Sequence, residues 1–227
     1  MLYEESIWIG KELLKHFNQG SKILNIGSST LNMRRVEQPH IQKHIFEVLK
    51  TNKIQIVNVD IQDSDGVDIV GDLTDSNFID RLKLERYDGV LCSNLLEHIE
   101  QKNKITFAIN ELLSYGGIAV ITVPYNYPYH LDPIDTMFRP TVNELAALFP
   151  LFRIKKGEIV NARSANKGIF ETTYFQKLLN NPRMFFLVFL RALFPYYKYN
   201  IWKKNFFGIK NLFKTFSATC IVLKKNK

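Results

Sequence analysis

Short apolar runs recur along the chain, and each stops at a small or acidic residue before a stretch with helical spacing begins. Lys22-Ile-Leu-Asn-Ile26 stops at Gly27-Ser28-Ser29-Thr30, Ile54–Val59 at Asp60, and Val67–Val70 at Gly71-Asp72. Tyr87–Cys92 stops at Ser93-Asn94, and Ile118–Val123 at Pro124. Runs of this length, bounded by turn residues, read as buried strands. Between them, residues 4–18 form an amphipathic helix with Ile7, Leu14 and Phe17 on one face, and residues 40–50 form another. Ile105, Ala108, Ile109 and Leu112 recur at i, i+3, i+4 and i+7, the stripe of a helix packed on a sheet, which Gly116-Gly117 closes. Thr141-Val-Asn-Glu144 is a capping box that opens a helix running to Phe149. Phe152–Val160 and Phe216–Leu223 supply a sixth and a seventh strand.

Strands alternating with helices predict an α/β domain: a seven-stranded, mostly parallel sheet with helices on both faces. The chain's 227 residues, 46% apolar and 23% charged, suit one domain with its own core. Residues 161–215, between the last two strands, stand outside the sheet pattern and are expected to be a helical insertion. Sheets of this kind bind ligands at the carboxyl ends of their strands, beside the point where strand order reverses. Residues just past each strand are therefore candidate site residues. The Gly27-Ser28-Ser29 turn lets backbone approach a ligand closely, with helix N-terminal amides available to negative charge. Asp60 and Asp72 supply acceptors at the next two strand ends, and Ser93-Asn94 follow the fourth.

Taken in order, several stretches resemble the successive motifs of class I S-adenosylmethionine-dependent methyltransferases. They are Ile23–Thr30, Val59-Asp60, Val67–Asp72, Tyr87-Asp-Gly-Val-Leu-Cys-Ser-Asn-Leu-Leu-Glu-His-Ile99 and Leu113–Pro124. The likeness covers roughly residues 20–150 and is nearest to the group with a Leu-Glu-His segment after strand four. It implies a Rossmann-like sheet and S-adenosylmethionine as cofactor. Gly27, with Ser28 and Ser29, would then lie against the methionine moiety. Asp60 would hold the ribose and Asp72 the adenine amino group, with Ile61 and Leu73 sandwiching the ring. Ser93, with Asn94 beside it, would floor the site next to the sulfonium. Two features depart from the family pattern. Asn25 stands where an acid is usual and can still hydrogen-bond, and Ser29 and Leu31 stand where further glycines are usual. An NAD-dependent dehydrogenase is disfavoured, since Gly-x-Gly-x-x-Gly is absent.

A hydroxyl acceptor must lose a proton on methylation, which calls for a base. Two histidines fall near strand ends on the ligand side, His98 and His130. His130 lies in the proline-stiffened loop Pro124–Pro140, with Tyr125, Tyr129, Asp132, Asp135 and Arg139. His130 oriented by Asp132 is the expected catalytic pair, and His98 the lesser candidate. Tyr125, Tyr129, Asp135 and Arg139 are expected to contact the acceptor. The spacing His130-x-Asp132-x-x-Asp135 matches no strong metal-ligand pattern, so no metal is expected. Met33–His40 reads as a loop over the site, leaving Arg34 or Arg35 free to grip a carboxylate or phosphate.

Charge is divided unevenly. Residues 151–227 carry sixteen Lys and Arg against Glu158 and Glu171, a net +14, while the rest of the chain is net acidic. Within residues 182–214, aromatics interleave with lysines. Met184–Leu190 is apolar, but Arg191 and Pro195 stop it well short of the ~20 residues of a membrane span. Such a stretch fits a helix lying on an anionic membrane. It fits equally an ordinary cap buried against the domain or a second subunit. Nucleic acid is the lesser alternative, because no Asn-Pro-Pro-Tyr-like segment for a flipped base is present. A non-catalytic cofactor-binding or scaffold protein is the non-enzyme alternative. Cys92 and Cys220 lie in apolar runs and read as buried thiols, which suits a reducing cytoplasm. No basic, then apolar leader opens the sequence. The expected acceptor is therefore a hydroxyl of a sugar, glycan intermediate or small metabolite, met in the cytoplasm or at the membrane's inner face.

Overall fold

A computed structural model describes residues 1–130, 134–162, 181–183, 186–187, 190 and 215–227. One seven-stranded sheet has the order β3-β2-β1-β4-β5-β7-β6. Its strands are β1 (Lys22–Ile26), β2 (Gln55–Asp60), β3 (Ile69–Val70), β4 (Tyr87–Ser93), β5 (Leu113–Asn126), β6 (Phe152–Asn161) and β7 (Ser217–Lys225). The sheet is mixed. β7 runs antiparallel to both neighbours, and the other six strands share one direction. A purely alternating strand–helix pattern does not foresee this reversal, because β6 and β7 pair as the two arms of a hairpin and need no crossover helix.

Successive strand residues point to opposite faces, and helices cover both. Leu24, Ile26, Val90, Cys92 and Ile121 pack against α4 (Ser76–Lys83), α5 (Lys102–Leu112) and α6 (Val142–Ala147). The predicted α5 stripe is buried throughout. The predicted capping box opens α6, with Thr141 N–H donating to Glu144 Oε2 at 2.8 Å. On the other face Ile23, Leu91, Val120 and Cys220 meet α1 (Tyr3–His16) and the helical run that follows β1. Both cysteines are buried and free.

Two expectations about helices are corrected. The buried face of α1 carries Glu5, Ser6, Ile9, Gly10 and Leu13, and Phe17 just after it is in the core as expected, while Ile7 is half-buried and Leu14 is 39% exposed. Gly10 explains the difference: a Cβ there would lie 2.1 Å from the His44 carbonyl oxygen, so α1 seats its backbone directly on the neighbouring helix. Residues 33–51 are helical almost throughout rather than a loop followed by a helix. A π turn over Met33–Glu37 is followed by α2 (Pro39–Ile41), a second π turn over Gln42–Phe46, and α3 (Glu47–Thr51). Pro39 stands at the first position of α2, where a missing N–H costs nothing.

The strands are close to expectation, apart from their ends. β3 is only two residues long, and β5 begins at Leu113, which pairs with Tyr87 before a register shift ahead of Gly89 and Ile118. Asn161 pairs with Ser217, and Ala162 N–H donates to the Phe216 carbonyl at 2.8 Å. Because β6 runs with β1–β5, both ends of segment 163–214 emerge at the carboxyl edge of the sheet. The expected helical insertion lies almost entirely outside the described residues; Phe186, Leu187 and Leu190 are helical and exposed. Among the described residues no helix is long and apolar enough to cross a membrane.

Candidate active site

Strand order reverses between β1 and β4, and a cavity of about 200 Å³ opens at their carboxyl ends. Its wall includes Asn25, Gly27, Ser28 and Ser29 from β1 and the turn after it, with Ser93 and Asn94 from β4. Met33, Ile41 and Phe46 close one side of it.

The β1 end is built for close approach. Gly27 has φ +66°, and its N–H and that of Ser28 donate to the Val59 carbonyl at 2.9 and 3.2 Å. A Cβ on Gly27 would sit 2.7 Å from Leu95 Cδ1. Ser29 also has positive φ, +55°, so a serine occupies backbone that glycine enters freely. Its N–H donates to Asp60 Oδ2 at 2.8 Å, and Gln62 N–H donates to Oδ1 at 3.2 Å. A carboxylate has about four acceptor positions, so Asp60 keeps roughly half of them for hydroxyls. Asp72 accepts from Thr74 N–H at 2.8 Å and from Thr74 Oγ1 at 2.9 Å. Asp60, Ile61, Asp72 and Leu73 stand at the ends of β2 and β3, beside the cavity rather than in its wall. Ile61 is exposed, whereas Leu73 is part of the core. Asn25 is buried in the wall and donates through Nδ2 to Asn58 Oδ1 at 3.0 Å.

The opposite end is acidic and rich in imidazole. Glu5, buried on α1, accepts from Leu2 N–H at 2.9 Å, Asn94 Nδ2 at 2.8 Å and Thr122 Oγ1 at 2.6 Å. Glu97 is fully buried in the turn after β4. Burial, with some help from the Glu5 charge, pushes its carboxyl up to about 8. His98 Nδ1–H donates to the Ile134 carbonyl, and its ring meets that of His130 edge-on at 5.2 Å. Thr136 N–H and Oγ1 donate to the Glu97 carbonyl at 2.8 and 2.9 Å, which ties the loop after β5 to the turn after β4.

His130 Nδ1 lies 3.2 Å from Asp135 Oδ2. Asp135 in turn receives Arg139 Nη2 at 2.6 Å, Arg139 Nη1 at 3.1 Å, and the N–H groups of His130 and Met137. Burial alone would raise the Asp135 carboxyl; these donors outweigh it and hold it at about 2. Burial lowers His130 below the ordinary histidine value, more than Pro128 and Asp135 raise it, so the imidazole is neutral at pH 7.

The structure thus brings His98, His130 and Asp135 together, with Asp135 beside His130 and Asp132 outside the described residues. Asp135 and Arg139 are engaged with each other and with the loop. Arg34 is not free to grip a ligand: it is buried, donates to the Gly66 carbonyl at 3.2 Å from both Nη atoms, and stacks 4.5 Å over Phe46. Arg35, Tyr125 and Tyr129 are exposed outside the cavity wall. Tyr127 lines it instead, its ring edge-on to His130. Sequence reasoning missed Glu5, Glu97 and Tyr127. Glu97 had a signal, its place beside His98 straight after a strand; Glu5 looked like any acid in a first helical turn.

No protein-family model matches the sequence, and no curated protein matches it. Solved structures do. A SAM-dependent methyltransferase from Archaeoglobus fulgidus superposes with a TM-score of 0.55 at 15% identity, covering 98% of this chain and 94% of that one. Coclaurine N-methyltransferase bound to N-methylheliamine and SAH gives 0.57 at 15% identity, covering 98% and 71%. The cyclase SpnF gives 0.57 at 15% identity, covering 97% and 80%. At such identities the likeness is one of architecture: this chain has the Rossmann-like fold of the class I methyltransferases.

Proposed function

We propose that this chain is an S-adenosylmethionine-dependent methyltransferase acting on a hydroxyl of a sugar, glycan intermediate or small metabolite. The observation that carries this reading is one shared cavity. Its β1 end offers a glycine turn beside Asp60, and its far end offers a neutral histidine held by a buried carboxylate. The cofactor fits the first part: the Gly27 turn puts backbone in the cavity wall, Asp60 retains acceptor positions for ribose hydroxyls, and Asp72 stands one strand further on for the adenine amino group. When bound, S-adenosylmethionine supplies an electrophilic methyl group on a sulfonium.

The chain's own residues then hold and deprotonate the acceptor. The Pro128 carbonyl, with Asp135 beside it, keeps a proton on His130 Nδ1, which leaves Nε2 as the acceptor for a hydroxyl proton. Arg139 holds Asp135 in place and ionised. Both ends of segment 163–214 emerge beside Ser217 and Ala218 in the cavity wall, which supports a role for the basic insertion in holding the acceptor. Calorimetry with S-adenosylmethionine and its demethylated product is the test. Both ligands should bind, and Asp60→Ala should weaken binding at least tenfold, on the order of 1.5 kcal/mol for lost charge-assisted hydrogen bonds. Failure of wild-type protein to bind either ligand removes the proposal.

A further inference from the structure

Among the described residues Glu97 has no hydrogen-bond partner for either carboxyl oxygen, although it is fully buried and lines the cavity. A buried carboxylate without a partner is expensive unless something compensates it. His98 and His130 stand beside it, and one ligand atom from each of the three lies within 4.8 Å of the others. His98 Nε2 is 3.7 Å from Glu97 Oε1.

Both imidazoles are anchored through Nδ1 on backbone carbonyls, His98 on Ile134 and His130 on Pro128 at 3.4 Å, with the Asp135 carboxylate 3.2 Å from the His130 Nδ1. This is the outer arrangement that metal-bound histidines carry, since it fixes the tautomer and turns Nε2 inward as the free donor. Arg139 and two backbone N–H groups in turn fix Asp135. Glu97 is held to the other loop through Thr136 and His98 through Ile134, so the ligand set spans two segments already tied together.

We propose that Glu97, His98 and His130 bind one divalent transition-metal ion at the acceptor end of the cavity. Two imidazoles and one carboxylate suit Mn²⁺, Fe²⁺, Co²⁺ or Zn²⁺ better than the all-oxygen preference of Mg²⁺ or Ca²⁺. Bonds of about 2.1 Å put neighbouring donors roughly 3 to 3.5 Å apart, so the three close on an ion by side-chain shifts of about 1 Å. Three protein ligands leave coordination positions open for an acceptor oxygen. The spacing within the loop after β5 gave no hint of this set, because its other two members come from the turn after β4. Binding of the ion does not depend on the methyltransferase reading; its use does. With the ion in place a His130 ring nitrogen would be a ligand rather than the base, and the ion would lower the pKa of a coordinated hydroxyl, whose proton would pass to solvent water.

Tag-free full-length protein, stripped with chelator, is titrated with Co²⁺ and followed by visible absorption, with Zn²⁺ binding measured by equilibrium dialysis. The expected result is one equivalent of either ion, with d–d bands for Co²⁺, and at least tenfold weaker binding in Glu97→Gln and in His98→Ala. Absence of a stoichiometric site in wild-type protein overturns the proposal whatever the variants do. Retention of wild-type affinity by both variants overturns it too, because the ion then sits elsewhere. Glu97→Gln preserves shape and removes a ligand oxygen that can ionise, and thermal melts establish that each variant is folded. Cofactor calorimetry on the same preparation separates the two readings. Cofactor binding without a Co²⁺ site removes the metal alone, and a Co²⁺ site without cofactor binding removes the methyltransferase alone.

Discussion

At His130 burial favours the neutral ring while the Pro128 carbonyl, beside Asp135, orders the proton on Nδ1, and the two effects together leave an imidazole able to accept a proton at Nε2. If it acts as the base, His130→Ala lowers kcat by ~100-fold or more, leaves cofactor affinity nearly unchanged, and costs more than His98→Ala. Equal losses in the two variants that follow metal content would instead mark both as ligands. His40 makes a separate prediction. It is buried, with Nε2 at 3.2 Å from the Met1 carbonyl, and burial lowers its pKa to about 4. The unfolded chain takes up that proton near pH 6.5, so between 6.5 and 4 it binds more protons than the folded one and stability falls as pH falls. The slope from this residue is about 1.4 kcal/mol per pH unit. Urea unfolding across that window should show it, and His40→Gln should remove that part of the dependence.

Helix α1 reaches the cavity through one carboxylate. Glu5 joins the start of the helix to Asn94 after β4 and to Thr122 on β5, two neighbouring strands of the sheet. Glu5→Ala deprives three donors of their acceptor, Leu2 N–H, Asn94 Nδ2 and the buried Thr122 Oγ1, and is expected to cost about 3 kcal/mol. Chemical denaturation should show a lower midpoint with an unchanged slope. A loss below ~0.5 kcal/mol would mean that water or a neighbour replaces the carboxylate. The same helix shows why its face was misread. Apolar spacing singled out Ile7, Leu14 and Phe17, of which only Phe17 is in the core; close backbone approach at Gly10 and the Glu5 network decide which side goes inward. Likewise Met33–His40 looked too polar for structure, yet Arg34 finds Gly66 and Phe46 inside the fold. Polar residues satisfied by distant partners carry no local signature.

The basic half of the charge distribution is attached to the site by topology. Segment 163–214 leaves from Ala162 and returns at Thr215, and the flanking residues Ala162 and Phe216 are hydrogen-bonded. Replacing 163–214 by a short Asn-Gly turn should close the hairpin without disturbing the sheet. The shortened protein should melt cooperatively and bind cofactor within a few-fold of wild type, and it should lose acceptor turnover. Collapse of the melt would mean that the segment belongs to the core. If the segment rests on an anionic membrane, its lysines contribute about 1 kcal/mol each near the surface, reduced by salt. Wild-type protein then co-sediments with anionic vesicles in a salt-sensitive way, and a variant with Phe185, Phe186 and Phe189 changed to Ser does not. Wild type staying in the supernatant, with the variant unfolding or dissociating, assigns those side chains to core or subunit interface.

By itself the sequence determined the alternation of strands and helices, the α5 stripe, the α6 cap and the residues at each strand's carboxyl end. These are local matters: periodicity, capping chemistry and turn residues act over a few positions, so they can be read along the chain. Only the tertiary structure decided that β7 runs backwards, that Asp135 lies against His130, and that Glu97 and His98 stand beside a histidine from another loop. Each of those depends on which strands become neighbours. β4 lies next to β5, so the turn after one and the loop after the other meet across a single cavity, and residues some thirty positions apart acquire a shared chemistry.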